Sequence, residues 1–343
     1  MTTIKEISEI SGFSIATVSK VLNHQKGVSK KTQKEILDVA NKLDYRPNLY
    51  ARQLKMGSSN TLGIIAEDLT VFVTPNIIDG IGVCCDDKNY HYILGNLRFN
   101  KRFGHSPYYN EQKEQLIDEM VNQMLSKQVD GIIYVGCHTH PIEILDKRSD
   151  TKFVCAYCYS DNINIPSIIY DDRKAGYDVG KLLISRGHKN IGVIAGIKES
   201  FNTYNRVLGF QEALFESNIP YNPNLTYYGE WDREHGFEVA KQLLNNNVTA
   251  IFAHNDLIAI GVMDYCSQNN ITIGKDIDLI GFDDRDITEI CRPRLSSVSL
   301  PLFEIGHTAA SVILDMIKDE KTAIPNKILL NCEVIERESV RKG

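Results

Sequence analysis

The chain has 343 residues, of which 43% are hydrophobic and 24% are charged, and its formal net charge at pH 7 is −6. A chain of this length exceeds one typical hydrophobic core, so we expect a small domain joined to a larger one. The composition is ordinary for a globular protein, the N-terminus does not resemble a signal peptide, and no apolar run reaches transmembrane length, which argues against a membrane protein or an exported binding protein.

Two short helices joined by a glycine are predicted at the N-terminus. The first covers residues 4–11, begins at a capping box formed by Thr3 and Glu6, and stops at Gly12. The second begins after Ser14, whose hydroxyl can accept a hydrogen bond from the first turn. Its apolar face has helical spacing and consists of Val18, Val21 and Leu22. Its outward side chains are small or polar, so this helix is slim enough for a DNA major groove, although any small helical hairpin gives a similar pattern.

A third helix and a shorter helical segment follow. Ser29 is the expected N-cap of the third helix. The side chains expected on its buried side are Ile36, Leu37, Val39, Ala40 and Leu43. The helix ends before Pro47, and residues 48–56 can form a further helix of about two turns. A helix this short is marginal in water, so we expect it to need a partner.

Three N-terminal stretches resemble the lactose-repressor (LacI/GalR) family of regulators: TIKEI at 3–7, SIATVSKVLN at 14–23 and LDYRPN at 43–48. Residues that match base-contacting positions of the family are Ile15, Ala16 and Lys20. Residues that match backbone-contacting or supporting positions are Ser14, Thr17, Ser19 and Asn23. The resemblance also implies a hinge helix at 47–56, in which Leu54 wedges into a minor-groove step and Lys55 adds a DNA contact. Alternatively, Leu54 is a linker residue that packs on the larger domain.

The charge distribution supports a separate DNA-binding head, which we define as residues 1–46. Residues 1–60 contain ten basic and five acidic side chains, a net charge of +5, and the remaining residues have a net charge of −11. A basic head on an acidic body is expected of a protein that binds phosphate at one end only. Residues 47–60 would link the head to a body at 61–343.

Short apolar runs alternate with helical patterns throughout the body. The predicted strands are residues 62–66, 92–95, 131–135, 153–157, 191–195, 250–253, 279–282 and 329–335. The predicted helices lie near 75–88, 111–127, 173–186, 204–217, 233–246, 256–269 and 302–318. This alternation predicts an α/β body with two doubly wound parallel-sheet lobes. Ligands of such sheets bind beyond the carboxyl ends of the strands, so the cleft between the lobes is the expected site.

The resemblance extends through the body, with VDGII at 129–133, RVLGF at 206–210, AIFAHND at 250–256 and IGFDD at 280–284 in the order of the family. It implies a periplasmic-binding-protein-like pair of lobes, between which the chain crosses near 158–165, 285–292 and 320–326. The first lobe would comprise about 61–160 and 292–322, and the second about 161–291 and 323–343.

Polar residues at the expected strand ends of the second lobe are candidates for effector binding. Arg206 can form paired hydrogen bonds with hydroxyls or a carboxylate, and Asn255 and Asp283 follow two strands that should end at the cleft. Trp231, the only tryptophan, can stack on the apolar face of a sugar ring or belong to the core. The resemblance implies effector contacts at these four positions, whereas Asp256 is expected to cap the following helix.

The first lobe departs further from the family. Its loop at 67–75 replaces an Asn-Pro-Phe loop, Tyr157 occupies a position that is often aspartate, and Leu300 stands where glutamine is common. The residues expected to face the cleft are nevertheless Asp68, Phe72, Thr74 and Tyr157. Residues 98–110 form a segment that is longer, more basic and more aromatic than is usual in the family. This segment could be a lid or a partner-binding segment, and the alternative is a solvated surface loop.

We therefore predict a sequence-specific DNA-binding transcriptional regulator. It would be a repressor whose affinity for a palindromic double-stranded DNA operator is set by a small-molecule effector, a carbohydrate, in the cleft. Symmetric half-sites require a homodimer, and closure of the cleft would separate the paired hinge helices. The alternative is a body that binds a protein partner or a non-sugar metabolite as corepressor.

No cofactor, metal ion or catalytic residue is predicted. The histidines His138, His140 and His254 have the chemistry of acid–base or metal groups, but no Ser-His-Asp order, HExxH motif or phosphate-binding glycine loop accompanies them. The eight cysteines are scattered, and the Cys155–Cys158 spacing lies in an apolar strand without a second pair. Reduced structural thiols, a cytoplasmic location and no membrane attachment are expected.

Overall fold

In the computed structural model the chain divides into two compact units, Met1–Ser59 and Asn60–Gly343. The structure describes residues 3–22, 25–45, 58–104, 111–143, 151–318 and 324–341. Asn23 and the predicted hinge helix at 47–56, with Leu54 and Lys55, lie outside the described residues. None of the helices in the described ranges is long and apolar enough to cross a membrane.

The described part of the first unit contains the helices α1 (Ile4–Ser11), α2 (Ile15–Leu22) and α3 (Lys30–Lys42). The predicted capping box is present, because the Thr3 hydroxyl accepts from the Glu6 N–H and the Glu6 carboxylate accepts from the Thr3 N–H. Gly12 follows α1 with a φ of 73°, a left-handed conformation that glycine adopts without steric cost. The turn between α1 and α2 therefore follows from the sequence.

These three helices share one small core. Its buried members are Ile7, Val18, Val21, Ile36 and Ala40. Leu37 was predicted to be buried, but it is 36% exposed. It lies one residue, and therefore about 100° around the helix, from the stripe formed by Ile36 and Ala40. The core uses that stripe, and Leu37 points away from it.

The second unit alternates strands with helices. Its strands are β1 (Thr61–Ala66), β2 (His91–Asn96), β3 (Gly131–Val135), β4 (Phe153–Ala156), β5 (Ser167–Tyr170), β6 (Ile191–Ala195), β7 (Thr226–Tyr228), β8 (Ala250–Ala253), β9 (Asp278–Ile280), β10 (Ser297–Ser299), β11 (Lys327–Leu330) and β12 (Glu333–Ile335). Its described helices are α4 (Val73–Asp87), α5 (Phe99–Phe103), α6 (Glu111–Ser126), α7 (Asp172–Ser185), α8 (Phe201–Glu216), α9 (Arg233–Asn245), α10 (Asp256–Gln268), α11 (Ile287–Ile290) and α12 (Leu302–Ile317), with a 3-10 turn at Pro223–Leu225.

Strand pairing forms two parallel sheets. The first has the order β11-β5-β4-β3-β1-β2, and the second has the order β7-β6-β8-β9. A short antiparallel pair joins β10 to β12. Consecutive residues of a strand in the first sheet, such as Ile64 and Ile65, belong to different hydrophobic clusters, as expected of strands buried on both faces. The predicted pair of doubly wound lobes is confirmed.

The positions at which the chain crosses between the sheets differ from the prediction. Because β5 and β11 pair within the first sheet, the first crossing follows Tyr170 and the third follows Leu330, not 158–165 and 320–326. The second crossing follows β10, because residues 296–299 bridge to Ile280 and Asp283, whereas α12 packs on α4 and the first sheet. All three predicted crossings were too early.

Two strands that were not predicted from the sequence explain this error. β5 and β10 each precede a crossing, so without them the crossings were placed too early. The predicted strand at 329–335 is two strands that belong to different sheets. We define the first lobe as 61–170, 302–317 and 327–330, and the second lobe as 172–299 and 333–341.

Two helices of the second lobe, α7 and α8, approach each other through glycines. A Cβ atom at Gly176 would overlap the carbonyl oxygen of Arg206, and one at Gly209 would overlap the carbonyl oxygen of Arg173. The absence of side chains at both positions lets the two backbones come into direct contact. This contact sets the position of Arg206 relative to α7.

Candidate functional site

The second helix of the head has one buried and one exposed face. The Ser14 hydroxyl accepts from the Thr17 N–H at 3.2 Å and lies 2.9 Å from the Thr17 hydroxyl, so Ser14 caps α2 as predicted. Val18 and Val21 are buried against α1 and α3. Val18 and Val21 are therefore held inside the head, and the opposite face of α2 is exposed.

The exposed face of α2 contains the side chains predicted to contact DNA. Ile15 is 53% exposed, and Ser14, Ala16 and Lys20 are also exposed. Thr17 and Ser19 are half-buried beside them. An exposed isoleucine on a helix this small is suited to contact with a thymine methyl group in the major groove. Asn23 belongs to the same predicted set but lies outside the described residues.

In the second unit, Arg206 is buried at the strand ends between the two lobes. It is 3% exposed, its Nε donates to Asp172 Oδ1 at 2.7 Å, and its Nη2 donates to the Tyr170 hydroxyl at 2.8 Å. Its Nη1 donates to the carbonyl oxygen of His254. The guanidinium carbon lies 3.5 Å from the ring centre of Phe282. Three of its five N–H groups therefore have protein partners, and two remain for a ligand.

Asp172, Tyr170 and Asn202 complete this network and were missed in the sequence. Asn202 Nδ2 lies 2.8 Å from both Asp172 Oδ2 and the Tyr170 hydroxyl and 3.2 Å from the Thr139 hydroxyl, so its two N–H groups are shared among three acceptors. Tyr170 and Thr139 belong to the first lobe, whereas the other members belong to the second. Burial raises the pKa of Asp172, although Arg206 opposes this. Recognising β5 would have placed Tyr170 and Asp172 at a strand end.

Asp283 also lies at this site. Its φ of 102° is unusual for a residue with a side chain, and its N–H donates to the Val298 carbonyl at 2.9 Å. Burial raises the pKa of the Asp283 carboxyl well above its ordinary value, although the charges of Arg206 and Arg285 lower it. Among the described residues, no hydrogen-bond donor reaches its side chain, so this carboxyl group is a candidate for binding a ligand hydroxyl.

Asn255, and not Asp256, is the residue that caps α10. Asn255 Oδ1 accepts from the Ile258 N–H at 2.7 Å and caps α10, and its Nδ2 donates to the Trp231 carbonyl at 3.0 Å. The prediction that Asp256 is the cap was wrong. Asp256 instead accepts from the Ser297 hydroxyl at 2.6 Å and the Arg285 N–H at 2.7 Å. Because Asn255 occupies the extended position before the helix, its side chain reaches the first turn.

Trp231 is half-buried beside Arg206. Its ring centre lies 5.6 Å from the Arg206 guanidinium, and a Cβ atom at Gly196 would overlap the indole. The backbone at Gly196 therefore packs directly on one face of the tryptophan. This arrangement fixes the ring beside the polar network and is compatible with stacking on a sugar.

The predicted cleft residues of the first lobe are mostly engaged within their own loop. Asp68 accepts from the Thr70 N–H at 2.9 Å and hydroxyl at 2.6 Å, and from the Asn100 N–H at 2.9 Å. The buried Thr74 hydroxyl donates to the Asp68 carbonyl at 2.8 Å. Phe72 differs, because its ring centre lies 4.7 Å from the guanidinium of Arg285 in the second lobe.

Tyr157 lies at the end of β4 and is 5% exposed. Its φ is 64°, and its ring centre is 5.4 Å from that of Tyr170. Burial raises the pKa of its hydroxyl, and the nearby Asp283 adds to this effect. Tyr157 is thus close to the Arg206 network, as its strand-end position predicted.

The described part of the 98–110 segment packs on the first lobe. Phe99 is buried, and the Lys113 ammonium lies 5.4 Å from its ring centre and 5.7 Å from that of Phe103. Lys101 and Arg102 are exposed on α5. Residues 98–104 therefore form a packed helical turn with a basic surface, and not the solvated loop that was one of the two expectations.

Glu67, His138 and His140 meet at neighbouring strand ends of the first lobe. His140 Nε2 lies 2.9 Å from Glu67 Oε1, and the two imidazole centres are 4.4 Å apart. Burial alone would raise the pKa of Glu67, but His140 and His138 lower it to about 2. Burial lowers the pKa of His138 to about 4, and His140 adds to this shift. The sequence had given no reason to expect Glu67 in this group.

A cavity of about 500 Å³ lies elsewhere on the second lobe, where Phe210, Leu214 and Tyr221 contribute to its lining. None of the predicted effector residues lines it. The cavity is therefore separate from the polar network around Arg206.

Comparison with known proteins identifies the family. Residues 3–48 match the profile of bacterial regulatory proteins of the lacI family, and residues 181–340 match the periplasmic binding protein-like domain. The HTH-type transcriptional regulator RegA of Clostridium saccharobutylicum is 31% identical over 343 residues, which cover 98% of this chain and 99% of RegA. The chain belongs to the lacI family.

Other lacI-family proteins agree. Catabolite control protein A of Priestia megaterium is 30% identical over 322 residues, which cover 93% of each chain. The lac repressor dimer bound to operator and the anti-inducer ONPF has a TM-score of 0.81 at 22% identity, covering 99% of each chain, and it shows the shared fold. As a lacI-family member the chain is a DNA-binding transcriptional regulator, and the prediction that it is not an enzyme is confirmed by these relatives.

Proposed function

We propose that the chain is a cytoplasmic, homodimeric repressor that binds a palindromic operator through the exposed face of α2 and through its hinge, with a carbohydrate as effector. The exposed Ile15, Ala16 and Lys20 support recognition of base edges by α2. Two copies of the head on a two-fold axis match two half-sites of the operator. The hinge contacts through Leu54 and Lys55 remain predictions from the sequence.

The polar network between the lobes is the observation that supports a small-molecule effector. Arg206 retains N–H groups for a ligand, Asp283 offers an acceptor, and Trp231 and Phe282 provide ring faces beside them. Donors and acceptors next to aromatic rings match the vicinal hydroxyls and the apolar face of a sugar. An effector that binds one arrangement of the lobes more tightly than another would change operator affinity by that difference.

Selection of duplexes from a random pool tests the DNA-binding part of this proposal. We expect the full-length chain to enrich palindromic sequences and Lys20→Ala to weaken binding by about 1–3 kcal/mol. Lys42→Ala is the matched control, because Lys42 is also an exposed lysine of the head but lies at the end of α3. Equal losses in both variants, or no enrichment of palindromes, would contradict the assignment of α2.

A thermal-unfolding screen of monosaccharides and disaccharides tests the effector. We expect one sugar to raise the unfolding midpoint and to change affinity for the selected duplex, since ligand that binds only the folded state stabilises it. Nucleosides and amino acids serve as chemically distinct controls. A midpoint shift with a nucleoside and none with any sugar would contradict a carbohydrate effector.

A protein partner is a second candidate, supported by the exposed basic side chains Arg98, Lys101 and Arg102 on and beside α5. An acidic or phosphorylated protein would be attracted to this surface. Reversing these three charges should abolish regulation by a partner and leave regulation by a cleft ligand intact. The measurement is operator affinity with each candidate added.

A further inference from the structure

Three side chains that can bind a metal ion come together at the carboxyl ends of β1 and β3. Glu67 directly follows β1, and His138 and His140 follow β3, which is its neighbour in the sheet. One ligand atom from each residue lies within 4.8 Å of the other two. The sequence separates Glu67 from the histidines by about seventy residues, so this proximity is a product of the parallel sheet.

The hydrogen bonds of His140 direct one of its nitrogens at Glu67. Its Nδ1 lies 3.0 Å from the Pro141 carbonyl oxygen, which can only accept, so Nδ1 is the donor. Its Nε2 lies 2.9 Å from Glu67 Oε1. The Nε2 lone pair and the carboxylate oxygen would repel each other unless a proton or a metal ion lay between them. A carbonyl that binds the distal N–H is also the usual support of a metal-bound histidine.

Other groups orient the Glu67 carboxylate. The Tyr134 hydroxyl donates to Oε1 at 2.9 Å, and the Cys137 N–H donates to Oε2 at 2.8 Å. Glu67 is only 2% exposed, so these donors hold a carboxylate that is nearly removed from water. A carboxylate with its own hydrogen-bond support is typical of metal sites in proteins.

We propose that Glu67, His138 and His140 bind one divalent first-row transition-metal ion such as Zn²⁺. Two imidazole nitrogens and a carboxylate oxygen are an established zinc donor set, and metal–ligand distances of about 2.0–2.2 Å place tetrahedral ligand atoms about 3.3 Å apart. Imidazole ligands favour such ions over Mg²⁺ and Ca²⁺. Three protein ligands leave one coordination position for water or for an oxygen of a bound molecule.

The metal site is connected to the second lobe through Thr139, which lies between the two histidines. The Thr139 hydroxyl accepts from Asn202, which also donates to Tyr170 and Asp172 in the Arg206 network. An ion that holds His138 and His140 would therefore fix the loop that contacts α8. This link deepens the proposed effector response, but binding of the metal itself does not depend on it.

Calorimetric titration of the full-length chain with Zn²⁺, after chelator treatment and removal of the chelator, tests the site. We expect one equivalent to bind and His138→Ala to weaken binding more than about 100-fold, since loss of a ligand should exceed the effect of losing its support. His91→Ala is the matched control, because His91 is exposed at the start of β2 in the same lobe. It should leave the affinity unchanged.

A Co²⁺ spectrum provides a measurement that needs no variant. Nitrogen and oxygen ligands should give visible d–d bands without the intense near-ultraviolet band of a thiolate ligand. Thermal unfolding of His138→Ala without metal should match the parent chain, so that loss of binding is not loss of folding. The proposal is overturned if the parent chain binds no Zn²⁺ at micromolar concentration, if His138→Ala binds as the parent does, or if a thiolate band appears that Cys137→Ser removes.

Discussion

The two sides of the cleft use their acidic groups in different ways. On the first lobe, Asp68 is 2% exposed and accepts three hydrogen bonds from its own lobe. On the second lobe, Asp283 is half-buried, and no described donor reaches its carboxyl group. One aspartate therefore stabilises its own lobe, whereas the carboxyl group of the other has no hydrogen-bond donor among the described residues. Position at a strand end does not by itself distinguish these roles.

Arg206 is expected both to stabilise the fold and to bind the effector, so its removal should have the largest effect. Arg206→Ala would leave the buried Asp172 carboxylate without its partner, and we expect the free energy of unfolding to fall by about 3–5 kcal/mol. Urea unfolding measures this change. Arg173→Ala, which removes an exposed ion pair with Glu212, is the control and should leave the midpoint nearly unchanged. Equal midpoints for the two variants would mean that the network does not stabilise the fold.

Matched substitutions at Asp283 and Asp68 test the comparison directly. Asp283→Asn should weaken effector binding about 10–100-fold, because it replaces a carboxyl oxygen with an amide N–H group that cannot accept a hydrogen bond, and should leave unfolding nearly unchanged. Asp68→Asn should lower the free energy of unfolding by about 1–3 kcal/mol and retain effector affinity. Asparagine tolerates the positive φ at Asp283. The reverse pattern in calorimetry and urea unfolding would invert the roles of the two lobes.

The remaining prediction concerns the pH dependence of stability and Asp256, whose pKa burial raises from 3.8 to about 7. The folded state then holds this proton more tightly than the unfolded state, so the associated stability is complete below pH 3.8 and is lost as pH rises through about 7. Asp256→Asn should flatten the fall in unfolding free energy between about pH 4 and pH 7. Urea midpoints across this range measure the slope. Asp286→Asn, at an exposed position, should keep the parental slope.

Sequence patterns predicted most of the fold because its long elements have clear periodicity. The capping box, Gly12, Ser14 and the apolar stripe of α2 all lie where local chemistry requires them. The first two crossings were misplaced because β5 and β10 were not recognised as strands. Local sequence contains no information about which sheet such a strand joins, because pairing is a tertiary choice.

The site was predicted unevenly for a related reason. Arg206, Trp231, Asn255 and Asp283 lie close to one another, but Asn255 caps a helix and donates to a backbone carbonyl. Asp172 and Asn202 were missed because their importance comes from contact with Arg206, which neighbouring residues in the sequence do not indicate. Glu67 was missed in the same way, since its histidine partners are distant along the chain.

The helices α7 and α8 contact each other through Gly176 and Gly209. Substitution of these glycines should therefore change the response to an effector, although glycine has no polar side chain. Gly176 touches the backbone of Arg206. A methyl group at position 176 would therefore displace the guanidinium, although no hydrogen-bonding residue had been substituted. Mutants that bind the operator but do not respond to the proposed effector would then arise at positions that contact neither the DNA nor the effector. Mapping of the alleles that do not respond should therefore identify the contact between α7 and α8 as well as the residues around Arg206.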